Sequence, residues 1–212
     1  MTAAPDVPNL ERVLADAGIV LPDGGAGKLA VHAAELLRWN RAIRLTAITG
    51  PVDVAVKHVL DSLLLLKFAP YPGRTLDAGS GAGYPGIPLA VALPGSRFVL
   101  LDATAKKCTF LTHVLRRIGL SNAEVVRGRI SKGALLPIGR FEQVVSRATF
   151  PPPEALRLLA RYLLPGGRLL LMTGPAAEEQ GEPPLPLRPG RRMRFELPFG
   201  MGAREIREYL AA

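Results

Sequence analysis

The stretch TLDAGSGAGYPGIP, from Thr75 to Pro88, leads out of a short apolar segment through Gly79, Gly81, Gly83 and Gly86 into a proline-bounded apolar run. RTLDAG has the length of a strand and YPGIPLAVALPG that of a short helix closed by Pro94 and Gly95, so the glycines form the tight turn between a first strand and a first helix. The alternation continues outward. RFVLLDA, AEVVRG, FEQVVSRA and GRLLLMTG read as further strands, and PPEALRLLARYLL as a helix. AKKCTFLTHVLRRIGL sets Phe110, Leu111, Val114, Leu115 and Ile118 on one helical face, with Gly119 as its stop. Strands alternating with helices predict right-handed crossovers and a doubly wound, mostly parallel α/β sheet covered on both faces.

Upstream, helical periodicity runs from Leu10 to about Ala47, broken by the turn LPDGGAG, and a further helix through DVAVKHVLDSLLLLKFA ends before Pro70, Pro72 and Gly73. Residues 1–56 are expected to form a helical extension packed on a core of residues 57–212 that is one globular unit. The tail from Arg191 reads as a strand hairpin, and GPAAEEQGEPPLPLRPG as a Pro- and Gly-rich loop.

The 212 residues suit one α/β domain, and 48% hydrophobic with 21% charged residues is ordinary globular usage. Apolar runs are too short to span a bilayer, and the acidic, proline-containing N-terminus is unlike a signal peptide, so a cytoplasmic protein is expected. Cys108, the single cysteine, excludes an internal disulfide and reads as a small helix residue. His32, His58 and His113 are too scattered for a metal-ligand pattern, and no metal is expected.

The net charge of +9 is concentrated: residues 97–132 hold 8 basic and 2 acidic residues (+6), and residues 188–212 hold 6 and 3 (+3). Such segregation suits a polyanionic partner, because each Lys or Arg seated on a phosphate releases counterions. A solvated basic surface would look the same from composition.

In a doubly wound sheet the ligand lies outside the carboxyl ends of the strands, where strand order reverses. Gly81-x-Gly83-x-x-Gly86 fits the dinucleotide fingerprint, and Asp102, 19 residues beyond Gly83, stands where a carboxylate accepts ribose hydroxyls. Asp77, at the end of the first strand, instead suits the ammonium of an amino-acid group. Asp77, Gly79, Gly81, Gly83 and Asp102 together describe a pocket for a nucleoside joined to an amino acid without phosphates, which is S-adenosylmethionine. The literal fingerprint leaves a nicotinamide-dependent oxidoreductase as an alternative.

WNRAIRLTAI (39–48), KHVLDSL (57–63), LDAGSGAGYPGIPLA (76–90), LLDATAKKCTFL (100–111), VVSRA (144–148) and the late MTG together resemble the bacterial small-subunit ribosomal RNA guanine-N7 methyltransferases, also called glucose-inhibited division protein B. The resemblance runs from about residue 30 to the end. It implies a class I methyltransferase (Rossmann-like) fold, S-adenosylmethionine as donor, and a guanine of small-subunit rRNA as acceptor, in the subunit or an assembly intermediate. It places Gly79, Tyr84, Ile130, Ser131 and Arg147 among the cofactor contacts, and His58, Asp61 and Ser62 at the pocket mouth. Three positions depart from the family's habit: Ser131 replaces an acidic residue, Glu142 an aspartate and Thr173 a lysine. These departures motivate a second alternative, a non-catalytic RNA-binding or ribosome-assembly factor that keeps the fold.

The implied reaction is a direct displacement in which a guanine N7 lone pair takes a methyl group from a sulfonium. N7 carries no proton, so no general base is required and orientation and electrostatics dominate. Arg147, at the carboxyl end of the fourth strand, is the candidate catalytic residue. Its fork would hold the cofactor, guanine O6 or a phosphate. Lys106, Lys107, Arg127 and Arg129 are candidate phosphate contacts, as is Arg204 in the tail. His58 reads either as a substrate contact or as a histidine bonded to Asp61, and Trp39 as a packing anchor. A monomer is expected.

Overall fold

The structure is a computed structural model that describes residues 10–71, 73–147, 149–174 and 187–212. Pro72, Ala148 and residues 175–186 of the expected Pro- and Gly-rich loop lie outside the described residues, as do residues 1–9 of the expected extension.

Two helices lead in, α1 (Leu10–Asp16) and α2 (Gly25–Asn40). The second ends at Asn40, short of Ala47, because the Asn40 side chain closes the following loop. Its Oδ1 accepts from the Leu45 and Thr46 amides at 2.7 and 3.0 Å, and its Nδ2 donates to the Thr46 carbonyl at 3.0 Å. The spacing of WNRAIRLT is thus that of a clamp.

The segment expected as one helix before the sheet changes pitch along its length. It starts as α3 (Pro51–Val54), widens into a π turn (Ala55–Leu60), tightens into α4 (Asp61–Leu63) and ends in a 3₁₀ turn (Leu64–Phe68). π turns inside helices cluster at functional sites. The expected boundary between residues 56 and 57 falls inside this continuous run.

Seven strands form the sheet: β1 (Arg74–Ala78), β2 (Arg97–Asp102), β3 (Ala123–Arg127), β4 (Phe141–Arg147), β5 (Leu163–Thr173), β6 (Leu187–Glu196) and β7 (Ala203–Ala211). Their order is β3-β2-β1-β4-β5-β7-β6, with β1 to β5 parallel and β7 antiparallel between β5 and β6. Order reverses between β1 and β4. Leu187–Gly190, expected in the loop, instead open β6, which carries Pro189 and a register shift before Arg192. A proline and an irregular register blunt this outer edge against pairing with another chain.

Alternating side chains serve opposite layers. Phe98, Leu100, Val145, Leu170 and Ile206 face a core shared with the N-terminal helices, α5 (Gly86–Ala92) and α6 (Ala105–Arg117). Val99, Leu101, Val144, Leu169 and Leu171 face α7 (Pro152–Leu159). Leu14, Leu29 and Leu36 of α1 and α2 are buried in the first of these cores. Trp39 packs there edge-on to Phe110 at 5.5 Å between centroids.

The fold gathers the carboxyl ends of β1, β2, β4 and β5 along one edge. Because β7 is antiparallel to β5, with Thr173 opposite Glu205, the β6–β7 connection reaches the same edge.

Candidate active site

At the reversal point the glycine turn is held from below by two carboxylates. Asp77 is fully buried, and its Oδ2 accepts the Gly86 amide at 2.9 Å. Its other oxygen has no hydrogen-bond partner. Burial lifts the Asp77 carboxyl to about 6, with Ser80 and the Gly86 amide opposing the rise. Asp102 accepts the Gly81 amide on Oδ2 at 3.0 Å and the Thr104 amide on Oδ1 at 2.8 Å, with Lys107 Nζ 3.7 Å away.

Glycine is required at Gly79, where φ is +82° and a Cβ would overlap the Thr149 side chain. Thr149 is itself fixed over the turn by donating to the Ala78 carbonyl at 2.9 Å. At Gly86 the φ is ordinary, but a Cβ would collide with Leu100 and with Asp77.

Beside this turn stands a stack of three rings. Tyr84 lies between His32, at 4.5 Å, and His58, at 4.6 Å, both nearly parallel to it. Tyr84 is buried and its hydroxyl unpartnered. His32 Nε2 donates to the Ala82 carbonyl at 2.8 Å, tying α2 to the glycine turn. Burial holds His32 at about 4. Burial first, and the positive charge of Arg147 second, hold His58 at about 3.

Both imidazoles are therefore neutral at physiological pH, and the contacts fix their tautomers. Arg147 can only donate, so its NH2 group, 3.0 Å from His58 Nδ1, leaves the His58 proton on Nε2 facing Thr46 Oγ1 at 3.0 Å. Arg147 also donates to the Lys57 carbonyl at 3.0 Å and to Asp61 Oδ2 at 3.2 Å. Arg204 Nε approaches the opposite Asp61 oxygen at 3.5 Å. Burial pushes the Asp61 carboxyl up, and the two guanidiniums pull it back.

The expected residues thus fall into joined and separate groups. Asp77, Gly79, Gly81, Gly83 and Asp102 form one turn; His58, Asp61, Arg147 and Arg204 form one polar network; Tyr84 joins the two, with Arg147 over its ring at 5.7 Å. His58 bonds to Thr46 and Arg147, where the sequence suggested Asp61. Ser62 is withdrawn from the mouth: it is fully buried and donates to the His58 carbonyl at 2.6 Å. Arg204 is engaged by Asp61 and the Ala203 carbonyl, so it does not stand free as a phosphate contact.

Ile130 is buried and Ser131 exposed in the loop after β3, where Arg161 donates to the carbonyls of Ser131 and Gly133 at 3.1 and 2.7 Å. Lys106, Arg127 and Arg129 are exposed around that end of the sheet, and Lys107 is half-buried. In the basic tail, by contrast, Arg191 pairs with Glu208, and Arg192 and Arg207 with Glu205. Half of that tail's arginines are thus paired with carboxylates of β7.

The departures from the family pattern are also placed. Glu142 accepts the Arg74 amide at 2.8 Å, and the Thr173 hydroxyl donates to the Glu205 carbonyl at 3.4 Å. Sequence reading missed His32, Asn40, Thr46 and Thr149. The signal for Asn40 and Thr46 was present in W-N-x-x-x-x-L-T; His32 and Thr149 had none. Among the described residues no cluster of three His, Cys, Asp or Glu side chains could hold a metal ion, and no helix is long and apolar enough to cross a membrane.

A buried carboxylate with one oxygen unpartnered, beneath a turn opened by glycines, fits the ammonium of an amino-acid ligand. Asp102 has one lone pair on each oxygen beyond its amide bonds, which fits ribose hydroxyls.

Comparisons with known proteins agree with this chemistry. The family model described as rRNA small subunit methyltransferase G matches residues 26–183. The ribosomal RNA small subunit methyltransferase G of Geobacter metallireducens is 37% identical over 203 residues, covering 93% of this chain and 92% of that protein. That of Anaeromyxobacter sp. (strain Fw109-5) is 39% identical over 208 residues, covering 95% and 96%. In fold, the chain is similar to a SAM dependent methyltransferase from Aquifex aeolicus, with a TM-score of 0.57 at 19% identity over 76% of this chain and 94% of that one. With the strand order and near-full-length relatives in agreement, the chain belongs to the rRNA small subunit methyltransferase G family and is an S-adenosylmethionine-dependent methyltransferase.

Proposed function

We propose that the chain methylates N7 of a guanine in small-subunit ribosomal RNA, acting as a monomer in the cytoplasm on the subunit or an assembly intermediate. The relatives' name supports the RNA. The observation that carries the reading is family membership over nearly the whole chain, and two buried imidazoles held neutral by burial, His58 and His32, are compatible with it. An acceptor nitrogen that arrives without a proton needs no base.

S-adenosylmethionine supplies an electrophilic methyl group carried on a sulfonium. Asp77 holds the amino-acid end, Asp102 the ribose, and the residues after β3, Ile130 and Ser131, border the adenine. Arg147 is the residue assigned to catalysis. Its guanidinium is fixed by Asp61, the Lys57 carbonyl and His58, and its remaining donors serve guanine O6, a phosphate or the cofactor carboxylate. Orientation and charge are the levers left to such a site. Lys106, Lys107 and Arg129 are assigned to RNA phosphates at the rim. Of the extension, His32 and Thr46 serve as a wall of the site.

Labelled S-adenosylmethionine, small subunits lacking their own base modification, and nucleoside analysis test the reading. The wild type should yield 7-methylguanosine and Arg147→Ala should not. Label in another nucleoside, or none on subunits, assembly intermediates and free RNA, would refute it. Sedimentation at assay concentrations checks the monomer. The nicotinamide alternative falls with family membership. The non-catalytic alternative is disfavoured by relatives that are named methyltransferases over nearly their whole length, and the same assay tests it.

A further inference from the structure

Phe199 stands out on two independent counts. It is 71% exposed, the one aromatic of the exposed class among the described residues, and it is the one described non-glycine residue at positive φ, 59°. A bulky side chain in the left-handed region is disfavoured and persists only when its surroundings impose it. Here they do. Leu197 is buried at the end of β6, and its amide donates to the Gly202 carbonyl at 2.9 Å, which closes the connection to β7. Met193, Phe195 and Met201 pack on the first core, and the chain between them turns one aromatic outward.

The surroundings point to a ligand. At Gly200 and Gly202, which follow it, nothing lies within 4 Å of where a Cβ would stand, so the backbone after the ring is uncovered. Phe195 is opposite Arg204 in the β6–β7 register. Arg204 approaches Asp61 at 3.5 Å and Asp61 accepts from Arg147 at 3.2 Å, so a row of charged side chains leads from the hairpin to the glycine turn. Arg194, on the strand leading to the tip, is exposed. The tip shares the sheet edge on which the donor pocket lies.

We infer that Phe199 is a stacking platform for an unpaired base of the RNA, holding the strand while its guanine is presented at the pocket. An exposed planar ring on a hairpin that also carries the exposed Arg194 is a combination that single-stranded RNA uses, because every base offers a π-face and the backbone offers phosphates. The inference rests on the RNA methyltransferase reading above and adds a contact outside the donor pocket.

Steady-state methylation of small subunits lacking their base modification tests it, with wild type, Phe199→Ala, Phe199→Asn and Phe199→Trp. Asparagine tolerates the left-handed region, so this variant removes the ring while relieving the backbone and keeps the fold. Ala and Asn should raise KM for the subunit by roughly tenfold, the scale of one lost base–aromatic stack, and Trp should keep it near wild type. Calorimetric affinity for S-adenosylmethionine should not change, and binding to protein-free small-subunit rRNA should weaken in the same order. Wild-type KM in the Ala and Asn variants would overturn the proposal. So would a KM effect on subunits with unchanged binding to protein-free RNA, because the ring would then contact a ribosomal protein. A wild type that binds RNA but transfers no methyl group would instead bring down the parent reading, and the binding order would still decide the stack.

Discussion

The NH2 group of Arg147 donates to Nδ1 of a neutral His58 across 3.0 Å, and His58 in turn is aimed by Thr46 at 3.0 Å. A strand-end arginine is thus oriented by an imidazole from a π turn and by a hydroxyl from a loop that Asn40 closes. The Arg147 guanidinium depends on segments that precede the sheet for its direction, although it belongs to the sheet.

Removing the imidazole acceptor should therefore cost activity more than stability. His58→Phe keeps a ring against Tyr84 but leaves one Arg147 donor unmet. A hydrogen bond to a charged group contributes about 1.5–3 kcal/mol, which predicts a fall in kcat of roughly ten- to hundredfold. His58→Gln, which retains an acceptor, should recover part of it. Equal kcat in wild type and His58→Phe, with only a lowered melting temperature, would make His58 a packing residue alone.

Asp77→Asn separates folding from donor binding. The buried charge is held uncomfortably, at about 6 against 3.8, and an amide oxygen can still accept from Gly86. The ligand-free variant should melt no lower than wild type at pH 8. Its affinity for S-adenosylmethionine should drop by about thirtyfold or more, the scale of removing one partner from a buried charge pair. Calorimetry on both proteins reads the two effects separately. Undiminished affinity would mean that the ammonium is not held there.

Glycine-to-alanine changes should sort by what the backbone touches. Gly86→Ala drives a methyl into Leu100 and the Asp77 carboxylate, whereas at Gly95 nothing lies within 4 Å. Overpacking predicts a loss of about 1–3 kcal/mol at Gly86, with weakened donor binding as Asp77 shifts. Gly95→Ala should stay within about 0.5 kcal/mol of wild type, as exposed positions do. Denaturant melts of the pair give the comparison, and similar values for both would contradict the tight approach at Gly86.

Strand and helix order were legible because hydrophobic period and glycine or proline stops are local properties. The glycine turn was legible because D-x-G-x-G-x-G encodes backbone geometry, and Asp102 follows at a fixed distance. Pairing across long sequence separations was not. Nothing local links Arg204 to Asp61, or His32 to Ala82, and no charge count shows that Glu205 and Glu208 pair with Arg191, Arg192 and Arg207 of the last hairpin. Ser62 illustrates the limit from the other side. Its neighbourhood in KHVLDSL suggested the pocket mouth, yet the helix turns its hydroxyl back onto the His58 carbonyl.

The buried titratable groups also fix how stability should vary with acid. His32 and His58 sit at about 4 and about 3 in the folded state against 6.5 for a free imidazole. Below pH 6.5 the unfolded chain takes up protons that the folded state refuses, so stability falls with acid until pH approaches those lower values. Asp77 has the opposite sign: raised to about 6 from 3.8, it is protonated first in the folded state, so stability rises as pH drops through that window. At pH 5 each histidine costs about 2 kcal/mol relative to pH 7, and Asp77 returns about 1 kcal/mol, which leaves a net loss of about 3 kcal/mol from these groups. Denaturant melts at pH 7 and 5 on the wild type, His32→Asn and Asp77→Asn measure each part. The histidine variant should flatten the slope and the aspartate variant should steepen it; a slope unchanged by either would mean that these side chains are not held in the ionisation states that the buried stack imposes.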